Sequence, residues 1–202
     1  MNRPGKIVCV GRNYAKHAKE LGNEVPKEPL LFLKPPSSVI ASGEPIVLPR
    51  QSARVEYEGE IGVVIGARLS RADERAARRA VLGIVALDDV TARDLQRTDG
   101  QWTRAKGFDT FCPIGPMVDA PDDLSSLTVM TRVNGEVRQQ GEARDMVFSI
   151  PMLLAYISGI MTLERGDVVA TGTPEGVGPI SAGDVVEVVV GESVLSNRVV
   201  AG

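Results

Sequence analysis

The sequence predicts an α+β domain dominated by strands, and three observations carry that reading. Val and Ile gather in short runs cut by Gly, Pro and Asp, the punctuation of strands and tight turns. Only a few stretches combine a helix cap with apolar residues at helical spacing. A chain of 202 residues, 43% hydrophobic and 24% charged, is an ordinary globular composition for one domain over 1–202, long enough to bury a substantial core.

Taken in order, "KIVCVG" (6–11) is the first strand, and "NYAKHAKEL" (13–21) has helical composition until "GNEVPKEP" ends it with Gly and Pro. "LLFLKP" (30–35) and "EPIVLP" (44–49) are strands stopped by proline, and "EIGVVIG" (60–66) is a stronger one. "SRADERAARRAVLG" (70–83) is a helix with Ser70 at its N-cap and Asp73 three residues on. "VLGIVAL" (81–87) is a buried strand. "LTVMTRVNGEVRQQG" (127–141) is a hairpin, because Asn134-Gly135 suits a type I′ turn. "SIPMLLAYISGI" (149–160) is a helix with Ser149 ahead of it and Pro151 in its first turn. "GDVV" enters a strand twice, at 166–169 and 183–186, which is shared turn chemistry and not a repeat.

A net charge of −3 with no Lys/Arg run offers nucleic acid no footprint. The first twenty residues hold no long apolar run, so neither a signal peptide nor a membrane anchor is expected. Cys9 and Cys112 form no disulfide framework or zinc spacing, and Cys9 is read as a small core residue. The expectation is a cytosolic protein.

"VEYEGEIGVVIG" (55–66) raises the sharpest question. At strand period, Glu56, Glu58 and Glu60 share one face, with Tyr57, Ile61, Val63 and Ile65 on the other. Asp88 and Asp89 follow the apolar strand 81–87. An E-x-E pair with an Asp is a set of hard oxygen donors that suits Mg²⁺, Mn²⁺ or Ca²⁺, not zinc, and a single histidine in the chain excludes a His-rich site. Spacing leaves Glu56/Glu58 and Glu58/Glu60 both open as the pair. A solvated strand face with a turn Asp is the simpler alternative. Paired carboxylates also serve glycosidases, but an aromatic share of 4% leaves few sugar platforms.

His17 precedes Glu20 by three residues, one face of a helix, where a carboxylate orients the ring and raises its basicity. The alternative is a surface histidine between Lys16 and Lys19. Lys106, in a loop-like stretch, could neutralise an anionic substrate or enolate. "TGTPEGVGP" (171–179) lacks the Gly-Lys-Ser/Thr ending of a phosphate loop and reads as a wide turn or a donor loop for a carboxylate.

In this order the words "VGRNYAKHAKEL", "LLFLKP", "EYEGEIGVVIG", "LDDVTARDLQ", "WTRAKGFDTFCPIGP", "VNGEVRQQG", "FSIPMLLAYIS" and "TLERGDVVATGTPEGVGP" resemble the short, single-domain form of the fumarylacetoacetate hydrolase family. The resemblance implies a mixed β-sandwich-like roll with a few short helices, and a homodimer. It implies Glu58, Glu60 and Asp89 as ligands of Mg²⁺ or Mn²⁺, leaving Glu56 and Asp88 as neighbours. It implies His17 and Glu20 as a catalytic pair on a lid helix, Lys106 as a catalytic cation, and Arg12, Arg93, Gln96 and Thr173 as substrate contacts. "LQRTDGQW" (95–102) is shorter than in some relatives, which affects the pocket border.

The function so implied is metal-dependent chemistry on a small 2-oxo acid through an enolate, foremost C–C hydrolysis of an acylpyruvate. The same enolate serves 2-hydroxyhepta-2,4-diene-1,7-dioate isomerisation and decarboxylation of oxaloacetate or 5-oxopent-3-ene-1,2,5-tricarboxylate, steps of aromatic-compound catabolism. A reading of another class is a non-catalytic, metal-dependent dicarboxylate-binding protein, against which the His–Glu pair argues, since binding alone needs no base.

Overall fold

The computed structural model describes residues 3–20, 22 and 24–202. The mixed, strand-rich fold expected from the sequence is present. One sheet has seven strands in the order β2 (Leu30–Lys34), β1 (Ile7–Gly11), β12 (Val168–Ala170), β6 (Gly59–Ile65), β7 (Val81–Asp88), β9 (Cys112–Ile114) and β3 (Val39–Ala41). A second has five: β11 (Glu136–Glu142), β10 (Thr128–Val133), β14 (Val185–Val190), β15 (Ser193–Ala201) and β4 (Ile46–Leu48). A small third sheet joins β13 (Gly178–Pro179), β5 (Val55–Tyr57) and β8 (Thr91–Ala92).

Strand parity divides the core in two. Val8, Val10, Ile61, Val63, Ile65, Ile84 and Ala86 face the second sheet and pack with its Val129, Val188, Val190 and Leu195. Their neighbours Ile7, Cys9, Val64, Val85, Leu87, Cys112 and Val168 form a separate cluster on the other face. That cluster joins β1, at one side of the sheet, to β9, near the other, so the sheet curls around it. Glu60 shares parity with Val64 and therefore projects from the curled face. Both cysteines are free and buried there.

The helices are short. α1 (Ala15–Glu20) follows β1, and Leu21, predicted to extend it, lies outside the described residues. α2 (Glu74–Arg79) starts later than predicted: Asp73, not Ser70, is its N-cap, accepting from the Ala76 N–H, because Arg71 takes a left-handed φ of 51° that ends any helix begun at 70. The same helix stops before Val81, where β7 begins. α3 (Arg93–Thr98) and α4 (Thr103–Lys106) lie where no helix was predicted, and α5 (Ile150–Ile160) is capped by Ser149 with Pro151 in its first turn, as expected. The hairpin at 134–135 has both turn residues at positive φ, the type I′ signature. Among the described residues, no helix is long and apolar enough to cross a membrane.

Candidate active site

Segment 55–65 is not one strand. β5 pairs in the small sheet and β6 in the large one, and the chain changes sheets at Glu58, whose N–H donates to Asp88 Oδ1 at 2.8 Å while its carbonyl accepts from the Asp89 N–H at 2.9 Å. All three glutamates are buried, which rules out the solvated face. Their surroundings differ. Glu56 faces arginines: Arg93 Nε at 2.7 Å and Arg54 Nε at 2.5 Å. Glu58 is held by the Arg93 guanidinium and by Lys106 Nζ at 2.7 Å. Glu60 has no cationic side-chain partner among the described residues and accepts one hydrogen bond, from the Gly172 N–H at 2.8 Å.

Asp89 completes the group. Its Oδ1 accepts from Lys34 Nζ at 2.5 Å and its Oδ2 from Lys106 Nζ at 2.6 Å. Glu58, Glu60 and Asp89 each bring a carboxylate oxygen within 4.8 Å of the other two. Burial opposes charge on Glu58, but Lys106 and Arg93 outweigh it and hold the group well below the usual carboxylate range. Burial pushes Glu60 well up, and repulsion from Asp89 and Glu58 adds to it. Burial also raises Asp88 to about 7, against the hydrogen bond from the Glu58 N–H. Burial would lower Lys106, but Asp89 and Glu58 keep it charged.

The donor set fits a hard divalent cation. Five carboxylates (Glu56, Glu58, Glu60, Asp88 and Asp89) and three cations (Lys34, Arg93 and Lys106) are buried at this end of the fold, and Arg54 pairs with Glu56 from the surface, so Glu60 and Asp88 are left without a cationic side-chain partner among the described residues. Of these two, Glu60 converges with Glu58 and Asp89, and oxygen-only donors suit a hard ion such as Mg²⁺, Mn²⁺ or Ca²⁺ rather than zinc.

A pocket of about 280 Å³ opens over this group. Every site residue expected from the resemblance except Glu20 lines it: Arg12, His17, Glu58, Glu60, Asp89, Arg93, Gln96, Lys106 and Thr173. Glu20 stands behind His17, with Oε2 3.3 Å from Nδ1, and is itself anchored by the Gly176 N–H at 3.0 Å. His17 is 4% exposed, so the reading of a surface histidine fails. Lys106 is not on a loop. It ends α4, its N–H donating to the Trp102 carbonyl at 2.9 Å, and its ammonium lies 4.9 Å from the centroid of the Phe32 ring. Thr173 donates to the Gly59 carbonyl at 2.9 Å and accepts from Gln139 Nε2 at 2.7 Å. The loop 171–179 is thus a donor to the protein's own carboxylates Glu60 and Glu20.

Sequence reasoning missed Lys34, Gln139, Trp102 and Arg97. A buried lysine closing an apolar strand ahead of Pro35 was a legible sign for Lys34. Arg97 follows Arg93 by four residues, one turn of the α3 it did not predict.

The chain matches the family described as fumarylacetoacetate (FAA) hydrolase C-terminal over residues 6–200. The mitochondrial oxaloacetate tautomerase of Arabidopsis thaliana is 49% identical over 187 residues, 88% of this chain and 82% of that protein. The crystal structure of 5-carboxymethyl-2-hydroxymuconate delta-isomerase from Mycobacterium smegmatis is 44% identical, with a TM-score of 0.91 over 99% of this chain and 80% of its own. Fumarylpyruvate hydrolase from Pseudomonas aeruginosa, crystallised with Mn²⁺ and pyruvate, is 32% identical, with a TM-score of 0.91 over 98% of this chain and 91% of its own. A match to nearly the full chain, joined to relatives this similar, means that the protein belongs to the fumarylacetoacetate hydrolase family of enzymes.

Proposed function

We propose that the protein is a divalent-metal-dependent enzyme that moves a proton next to the ketone of a small 2-oxo acid, interconverting the enol and keto forms of an oxaloacetate-class substrate. The observation that carries this reading is the convergence of three carboxylate oxygens within 4.8 Å beneath a small pocket whose one imidazole, His17, is tied to Glu20. Two oxaloacetate tautomerases, at 49% and 44% identity, support proton transfer, an oxaloacetate decarboxylase at 46% supports the same substrate class, and a relative crystallised with Mn²⁺ and pyruvate supports both the metal class and the 2-oxo acid.

Mg²⁺ or Mn²⁺ held by Glu58, Glu60 and Asp89 would supply Lewis acidity toward the substrate's carboxylate and ketone oxygens. The remaining work falls to the chain. Glu20, accepting from Nδ1–H, leaves Nε2 of His17 as the basic nitrogen, which takes the proton of the C2 enol hydroxyl and delivers it to C3 to give the ketone, and runs the same transfer backwards in enolisation. Lys106, kept charged by its carboxylate neighbours, lowers the cost of negative charge developing on the ketone oxygen. Trp102 and Phe32, packed edge to face with centroids 5.3 Å apart, wall the pocket from water.

The second reading is hydrolysis of an acylpyruvate, in which the same His17–Glu20 pair activates water. Turnover of enol oxaloacetate and of an acylpyruvate, each with Mg²⁺, Mn²⁺ or EDTA, separates the two. We expect EDTA-sensitive loss of the enol signal with oxaloacetate retained. Cleavage of the acylpyruvate to pyruvate and a carboxylic acid, without ketonisation, would replace the first reading by the second. His17→Ala should lower kcat by about 10²- to 10⁴-fold with metal affinity unchanged. Full activity in that variant would remove the pair from the mechanism. A single catalytic domain forming a homodimer is part of the same proposal, checked by the sedimentation mass.

A further inference from the structure

Four guanidinium or ammonium groups line the pocket, and they fall into two classes. Arg93 and Lys106 are buried and committed to Glu56, Glu58 and Asp89. Arg12 and Arg97 line the same pocket, yet among the described residues neither side chain forms an ion pair or hydrogen bond to protein. Arg12 is half-buried and Arg97 exposed, so this uncommitted charge lies at the open end of the pocket while the committed charge lies at its floor.

Both arginines are delivered by backbone that is held in place. Arg12 takes φ 60°, a left-handed conformation unusual for a branchless long side chain and sustained only where the surroundings enforce it. The next residue supplies the enforcement. Asn13, fully buried, donates to the carbonyls of Phe148 at 3.1 Å and Thr171 at 2.8 Å and accepts from the Phe148 N–H at 2.8 Å. Arg97 sits on α3 one turn after Arg93. Asp94 anchors the helix to the chain at 52–53, through Ser52 Oγ at 2.6 Å and the Ala53 N–H at 2.8 Å. Arg93, Gln96 and Arg97 therefore share the face of α3 turned to the pocket.

We propose that Arg12 and Arg97 form a second carboxylate subsite at the pocket mouth, which takes the distal carboxylate of a dicarboxylic 2-oxo acid. The subsite makes the enzyme selective for dicarboxylates over monocarboxylic 2-oxo acids. This rests on the reading above for the floor of the pocket, which binds the 2-oxo acid end. Guanidinium groups suit the task because they pair with carboxylates in a planar, two-pronged geometry.

The test is calorimetric binding of 3,3-difluorooxaloacetate, which cannot enolise, and of pyruvate, which lacks the distal carboxylate, to the Mg²⁺-loaded protein and to Arg97→Met. Methionine keeps the aliphatic stem and removes the charge, and an exposed position leaves folding intact. We expect Kd for difluorooxaloacetate to rise about fivefold or more, pyruvate to stay within about twofold, and Arg97→Lys to recover part of the loss. Equal changes for both ligands, or none, would overturn the subsite and leave the floor reading standing, since both ligands would still bind the parent protein. Failure of the parent protein to bind either ligand would overturn the floor reading and the subsite with it.

Discussion

Asp89 is gripped at both oxygens, by Lys34 from the strand side and Lys106 from the pocket side. Lys34 does not line the pocket; its ammonium also donates to the Val90 carbonyl at 3.0 Å, which ties β2 to the turn after β7. With Asp89 as a ligand of the proposed cation, Lys34 would orient it from behind, the kind of partner whose loss typically costs 10- to 100-fold in metal affinity. Lys34→Met should therefore weaken Mg²⁺ or Mn²⁺ binding by about that factor, measured by calorimetry on the chelator-treated protein. It should also destabilise the fold by about 3–5 kcal/mol, because Asp89 keeps its burial and loses half its compensation. Unchanged metal affinity would show that Lys106 alone positions Asp89.

Gly59 shows what the change of sheets at Glu58 demands of an element. A Cβ there would lie 1.9 Å from Thr131 Oγ1 and 3.3 Å from Val188 Cγ1, so the strand between the two glutamates runs directly against the second sheet. Thr131 sits at the bulge of β10, and its buried hydroxyl has no hydrogen-bond partner. Gly59→Ala should cost about 1–3 kcal/mol in urea unfolding and weaken metal binding, since Glu58 and Glu60 cannot both hold position. Adding Thr131→Ala should recover part of both losses, and strict additivity of the two changes would refute the contact as the cause. The alternation of Glu56, Glu58 and Glu60 was legible, and of the two readings it offered the structure excludes the solvated face. The break at Glu58 was not, because it is decided by β8 and β13, strands of two residues that leave no pattern of their own. α3 and α4 were missed for a related reason: six and four residues is too short for periodicity to show.

At the scale of the molecule, the strands read from Val/Ile runs are nearly all present, since a sheet buried on both faces writes itself into the sequence as continuous apolar runs. The pocket is a different matter. Its residues come from β1, α1, β2, β6, the turn after β7, α3, α4 and the loop after β12, and only resemblance could gather them before the fold was known. Bringing five carboxylates to one buried end has a stability consequence. Glu60 is pushed toward its neutral form by burial and by Asp89 and Glu58, so keeping it ionised carries an electrostatic cost that the proposed cation would relieve. Metal that binds the native state alone stabilises it by about 2.7 kcal/mol at one hundred times Kd, and a chain of this size then gains roughly 5–10 °C in Tm. Glu60→Gln should raise the Tm of the chelator-treated protein, because an uncharged amide removes the cost of burying a carboxyl group beside Asp89 and Glu58, and should abolish most of the metal-induced rise. If Mg²⁺ and Mn²⁺ leave the parent Tm unmoved, or Glu60→Gln keeps the full rise, the triad is not where the cation binds.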